Sequence, residues 1–301
     1  MAKNKEQISN VRRAKHSGLL TAIFTVISIL WIAPLFLVLM NSFKRKAYIF
    51  RNPFSISAAS LSEGWDVFVE GIEKALFGWS NYKNAIKLTN FFESFGTSLF
   101  ITVVSVIVIL ICTSMCAWYI TRVHTKVTKG IYTLCLFSMI VPFQMVMFTL
   151  SKFSNMLGLG NPVGIVVVYL GFGAGLAVFM FTGFVKSISL EIEEAAMIDG
   201  CTPLQTFFGV VFPILKPTTV TVAILQAMWI WNDYLLPSLV LNINKYKTLP
   251  IAIQYLKQSH GQLDWGAMMA VLVLAIIPIV IFYMICQKYI IEGVLAGAVK
   301  G

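Results

Sequence analysis

Four carboxylates, Glu191, Glu193, Glu194 and Asp199, fall within nine positions of a chain in which only 12% of residues are charged. Chemistry at such a cluster would need further groups converging on it, and the sequence offers none. His16, His124 and His260 lie far apart along the chain, so no metal site is implied. No HExxH, GxSxG or paired His/Asp set falls in an apolar stretch, which argues against a membrane-embedded enzyme. A G-x4-G-K-[ST] segment is also missing, so no P-loop nucleotide site is encoded. Catalytic residues and metal ligands are therefore not expected, and the acids read as part of a polar surface.

The residues around them specify local structure. Ser189 can cap a helix whose first turn carries Glu191, Glu193 and Glu194, where negative charge suits the positive end of the helix dipole. Gly200 supplies the left-handed residue that ends it. Thr202, Pro203 and Gln205 then form a capping box with proline at the first helical position. Pro213 and Pro217 bracket the entry to the next apolar run. The reading is helix, glycine turn, helix, outside the hydrocarbon. Ala195 and Ala196 give it a flat surface that another protein could approach closely. Glu191, Glu193 and Asp199 read as helix-end and solvent charges.

The elements that hold this island are apolar. The 301 residues are 58% hydrophobic, far from the balance of a soluble domain. Apolar runs of about 18 residues or more can cross a bilayer core of roughly 30 Å. Six candidates follow, at 18–40, 97–120, 131–150, 163–185, 218–237 and 267–287. The expected fold is an all-α polytopic membrane protein with six transmembrane helices. The polar island at 186–217 lies between spans four and five. The basic segment 1–17 leads into an uncleaved first span. Residues 41–96 form an external loop with one or two short interfacial helices, and 288–301 form a tail. With a cytoplasmic start, both termini and the island lie inside. The positive-inside rule supports this only weakly, because Lys44, Arg45 and Lys46 fall on the outside. The net charge of +10 reads as charge near lipid head groups, with no nucleic-acid footprint. Cys112, Cys116, Cys135 and Cys286 lie in spans and Cys201 in the island, so no disulfide framework is expected.

Glu194-Ala195-Ala196, three residues, Gly200, nine residues and Val210-Val211-Phe212-Pro213 resemble the EAA loop of ABC-importer permeases, E-A-A-x3-G-x9-I-x-L-P. Val210 and Phe212 depart from the pattern but stay apolar. Trp231-Asn232-Asp233-Tyr234 followed by Pro237 is similar to the W-N-[DE]-[FY] element of carbohydrate-import permeases. The ending Ala296-Gly297-Ala298-Val299-Lys300-Gly301 is similar to their tail, and Pro142 and Gln144 fall where that family carries the same pair. The specific likeness is to the shorter, maltose-type second permease subunit.

This resemblance implies a prokaryotic cell-membrane protein that is not itself an enzyme. It implies a second homologous permease, two ATP-binding subunits that hold ATP and Mg, and an extracytoplasmic solute-binding protein. The chain itself needs no cofactor, and its partners include lipid but no nucleic acid. ATPase coupling falls on Glu194, Ala195, Ala196, Asp199, Gly200, Pro203 and Pro213. Gly297, Val299 and Lys300 would reach toward the ATPase pair. The substrate would be a sugar or oligosaccharide. A non-sugar solute is the alternative within the family.

An ATP-independent secondary transporter would want charge near the bilayer midplane. Only Asp233 lies in a span, about 22 Å along it and off centre. Asn232, Asp233, Tyr234, Gln144 and Gln226 are the pathway candidates. For Gln144 and Gln226, hydrogen bonding between helices is the simpler reading. The run Gly171, Gly173, Gly175 lies in a span and reads as close packing or a bend, while Trp229 and Trp231 read as anchors or packing residues.

Overall fold

The protein is described by a computed structural model that covers residues 17–258 and 264–298; among these residues it is all helical. They divide into two units, one from 17–84 with 264–273 and the other from 85–258 with 274–298. Among the described residues, four helices are long and apolar enough to cross a membrane: Gly18–Ser42, Phe91–Arg122, Gly164–Val185 and Trp265–Tyr289. Two bent helix pairs raise the number of possible crossings to six.

The first unit starts with α1 (Ser17–Ser42). The expected loop is more ordered than one or two short helices. It contains α2 (Lys46–Arg51), a 3-10 turn at Leu61–Glu63, α3 (Trp65–Ala75) and α4 (Ser80–Leu88). The 3-10 turn starts on a capping box in which Ser60 and Glu63 exchange side-chain and backbone bonds. Lys44 is the anchor of this segment and is fully buried. Its ammonium donates to Asn41 Oδ1 at 2.8 Å and to the Asn52 carbonyl at 2.9 Å, and no carboxylate among the described residues pairs with it. Burial holds this ammonium below its ordinary pKa. Asn81 donates to the carbonyls of Ser42 and Lys44, both at 2.8 Å, tying α4 to the end of α1.

The second unit is built on α5 (Phe91–Arg122) and α8 (Gly164–Val185). Without a hydrophobic drive between helices in lipid, small residues and buried hydroxyls let backbones approach. Ser98, Ser105, Thr113 and Ser114 are buried along α5. Across from them, a Cβ on Gly173 would stand 2.7 Å from Ile109 Cδ1. Gly175 is equally confined, 2.7 Å from the Cys135 carbonyl and 2.6 Å from Ser138 Oγ. The close-packing reading therefore holds for Gly173 and Gly175. Gly171 has nothing within 4 Å of its absent Cβ, so it does not hold there.

The run expected to form one continuous span at 131–150 is two helices, α6 (Lys126–Ile140) and α7 (Phe143–Met156), meeting at 109°. Pro142 is the cause. It pushes Val141 to an extended ψ of 116° and cannot donate to the preceding turn. The span expected at 218–237 is also interrupted. It consists of α11 (Lys216–Asn232), a break at Asp233 and Tyr234, and the short α12 (Leu235–Val240). Then follow α13 (Leu249–Gln258) and α14 (Trp265–Ala298). α14 runs on past 287 without a break into the segment expected to be a tail.

Candidate functional site

The polar island folds as α9 (Leu190–Ile198), a turn at Gly200, and α10 (Pro203–Ile214). Gly200 has φ of 89°, in the left-handed region. The turn is closed by two bonds: Gly200 N–H donates to Met197 O at 3.1 Å and Cys201 N–H to Ala196 O at 3.0 Å. This is the paired bonding of a Schellman end, which satisfies the last carbonyls of α9. Gln205 N–H donates to Thr202 Oγ1 at 3.4 Å, and Thr202 N–H to Gln205 Oε1 at 2.8 Å. The capping box is thus formed as expected, with Pro203 in the first turn. Ser189 occupies the cap position of α9 with extended backbone, but its hydroxyl makes no cap bond. A π-helical stretch at Phe207–Val211 and a bend of 78° lead from α10 into α11.

Glu194, Ala195, Asp199, Gly200 and Pro203 are exposed, and so is Pro213 at the far end of α10. Large apolar side chains share the exposed surface of this hairpin, with Ile198 at 85% exposure and Leu190, Ile192, Met197 and Leu204 also open. Ala196 is buried on the opposite side. An exposed apolar face next to carboxylates suits a protein partner.

Glu193 overturns one expectation. It is not a solvent charge: it is 2% exposed and paired. Arg122 Nη2 donates to Glu193 Oε1 at 2.7 Å, and Arg122 Nε to the same oxygen at 3.0 Å. Trp118 Nε1 donates to Oε2 at 2.9 Å. Arg122 Nη2 also reaches the Ile188 carbonyl at 3.0 Å. The Trp118 ring lies 5.5 Å from that of Phe207, which is fully buried in α10. The last turns of α5 thus hold both arms of the hairpin: α9 through Glu193 and α10 through Phe207. The sequence signal was an Arg at the end of a span and a Glu in a helix's first turn, with nothing to pair them.

The pathway candidates divide. Gln226 is buried, and its Nε2 donates to the Gly173 carbonyl at 3.2 Å, the expected bond between helices. Gln144 is exposed and makes no such bond, because the Pro142 break turns α7 away from the line of α6. Asn232 is exposed and donates to Met228 O at 2.7 Å, within its own helix. Tyr234 is also exposed. Asp233 organises the break. Its Oδ1 accepts from Leu235 N–H at 2.9 Å and Leu236 N–H at 3.3 Å, and its Oδ2 accepts from the Tyr169 hydroxyl at 3.1 Å. Trp229 and Trp231 pack edge-on against Tyr169 and Phe95. Gly297 belongs to α14, while Val299 and Lys300 lie outside the described residues. Among the described residues, no group of His, Cys, Asp and Glu is arranged to hold a metal.

The profile of the binding-protein-dependent transport system inner membrane components matches residues 109–295, covering α9, α10 and the clamp at Arg122. A probable starch degradation products transport system permease, AmyC of Thermoanaerobacterium thermosulfurigenes, is 39% identical over 94% of this chain and 96% of its own length. The melibiose/raffinose/stachyose import permease MelC of Bacillus subtilis is 31% identical over 96% of this chain and 99% of its own. A crystal structure of a bacterial ABC transporter involved in the import of the acidic polysaccharide alginate contains a chain with the same fold. The TM-score is 0.72 at 22% identity, over 92% of this chain and 98% of that one.

Proposed function

The chain belongs to the family of binding-protein-dependent transport system inner membrane components, and from that premise we propose that it is a permease subunit of an ATP-driven importer of a sugar or oligosaccharide. The observation that carries the reading is the helix–turn–helix at 190–214. It presents Glu194, Ala195, Asp199, Gly200 and Pro203 on one exposed hairpin, with the spacing of the family's ATPase-docking loop.

In this reading α9 docks in a groove of a partner ATPase. ATP and Mg are bound there, and hydrolysis takes place there. Closure of the ATPase pair draws the docked helices together and rocks the spans from inward-open to outward-open. Such coupling requires the docked contact to differ in energy between the two states. The hairpin then lies in the cytoplasm, as do both termini. Burial of Lys44 supports that orientation, since a charge enclosed by protein is no longer one that reads the membrane surface. A second permease completes the path, and a solute-binding protein delivers from outside. Gln144, Asn232 and Tyr234 are the exposed polar candidates for the shared path, while Asp233 and Gln226 hold its walls.

The test is reconstitution of the full complex. A cognate sugar with its binding protein is expected to raise ATP hydrolysis and to be carried into the vesicles. Hydrolysis indifferent to every glycan, with a response to a non-sugar solute, would overturn the substrate class. Purification without any ATPase would overturn the importer reading.

A further inference from the structure

Where α5 ends and the chain turns into α6, a pocket of about 420 Å³ opens beside Arg122. It is lined by Arg122, His124, Lys129, Tyr132, Thr182 and Lys186, and no carboxylate lines it. Its size falls in the range of about 300–1,000 Å³ typical of small-ligand sites. Among the described residues the ion pairs are Arg122–Glu193 and Lys74–Glu70, so Lys129 and Lys186 have no acidic partner there.

A second observation makes this more than a basic surface. Thr182 is 3% exposed and its hydroxyl has no hydrogen-bond partner. Buried hydroxyls are nearly always bonded, because leaving one unmade forfeits its hydration without return. The neighbouring threonines do not share this lack. Thr121 Oγ1 donates to Ala117 O and Thr128 Oγ1 to Val123 O, both at 2.7 Å. Thr182 is therefore a spare donor in a wall that also carries Lys129 and Lys186.

We propose that this pocket binds a phosphate-bearing anion, with Lys129 and Lys186 supplying charge and Thr182 a fixed donor to one phosphate oxygen. The favoured source is the head group of an anionic phospholipid. The pocket lies at the ends of two spanning helices, α5 and α8, which is the depth of head groups, and basic pockets between spans hold such lipids. Assignment to the inner leaflet rests on the orientation proposed above; the site itself does not.

The experiment is native mass spectrometry of the complete transporter complex, titrated separately with dioctanoyl-phosphatidylglycerol, dioctanoyl-phosphatidylcholine and inorganic phosphate. Saturable binding of phosphatidylglycerol over phosphatidylcholine is expected. Each lysine near an anionic group contributes about fivefold, so the double variant Lys129→Gln/Lys186→Gln should bind roughly twenty-five-fold more weakly. Thr182→Val should weaken binding about tenfold with no change in charge. Phosphatidylglycerol bound without inorganic phosphate assigns the lipid. Inorganic phosphate bound with no lipid preference assigns a free anion in the same pocket. Loss in the lysine variant with none in Thr182→Val would mean diffuse surface charge and would overturn the site, as would binding that neither variant alters or no saturable binding at all. Since no solute is transported in this measurement, its failure leaves the importer reading standing, and the reverse also holds.

Discussion

Glu193 and Arg122, 71 positions apart, meet at 2.7 Å in a contact that buries the carboxylate and joins the first turn of α9 to the last turn of α5. The pair is mechanically placed. α5 makes the most extensive helix contact in its unit, with α8, so a pull on α9 enters the packed core through one charged joint. Trp118 stiffens the joint by bonding Glu193 while resting on Phe207 of the other arm.

Removing Arg122 strands the buried Glu193 carboxylate, which costs about 3–5 kcal/mol, while removing Glu193 costs less because the Arg122 side chain is 20% exposed. Glu193→Ala or Arg122→Ala is therefore expected to lower the unfolding midpoint of the complex and to reduce transport per ATP hydrolysed. The exchange Arg122→Glu/Glu193→Arg should recover part of both losses. Additive losses in the exchange, read by a double-mutant cycle, would show that the two residues act separately. Trp118→Phe keeps the ring on Phe207 and loses only the N–H, a bond to a charged group that contributes about 1.5–3 kcal/mol.

The turn at Gly200 separates backbone from packing. Its φ of 89° is strained for an L residue, but nothing stands within 4 Å of an added Cβ. The cost of substitution is conformational alone, on the order of 1–2 kcal/mol for an ordinary residue and least for Asn. Gly200→Val should uncouple hydrolysis from transport, with Gly200→Asn intermediate. Equal transport-to-hydrolysis ratios in the wild type and Gly200→Val would remove this turn from the coupling path.

Much of the helix–turn–helix at 190–214 was legible because its determinants are local. A left-handed glycine, a proline at the first helical position and Thr202 three residues before Gln205 are each decided within one turn of chain. The break in the third span was legible in principle, since Pro142 disfavours helix at Val141; a predominantly apolar run hid it. Glu193 was not legible. Its fate is set by Arg122, and no period or spacing relates two residues so far apart. Lys44 misled for the same reason: it reads as a loop charge, yet Asn41 and the Asn52 carbonyl enclose it.

The glycine run in α8 offers an internal comparison. Gly171→Ala adds a methyl to open space and removes the entropy cost of glycine in a helix, so it should be neutral or stabilise by up to about 1 kcal/mol. Gly175→Ala drives a methyl against the backbone carbonyl of Cys135, which cannot swing aside. It should loosen α6 from α8 and lower the unfolding midpoint by several degrees. Matching midpoints for the two variants would contradict the contact.

Asp233 can be tested as a wall residue against a path charge. Its carboxylate accepts two backbone N–H groups at the start of α12 and the hydroxyl of the buried Tyr169, so three donors depend on it. Asp233→Ala leaves them unmet, two of them on the buried residues Leu236 and Tyr169. The lost cap alone costs about 0.5–2 kcal/mol, and each stranded buried donor adds about 1–3 kcal/mol. Asp233→Asn keeps an acceptor for the amides, and its own N–H can donate to the Tyr169 oxygen. Its unfolding midpoint and transport rate should stay close to those of the wild type, while Asp233→Ala loses both. Tyr169→Phe should fall between them, since it removes one bond and leaves the cap. If Asn and Ala both abolish transport while the midpoints stay fixed, the negative charge acts on the solute path and not on the bend.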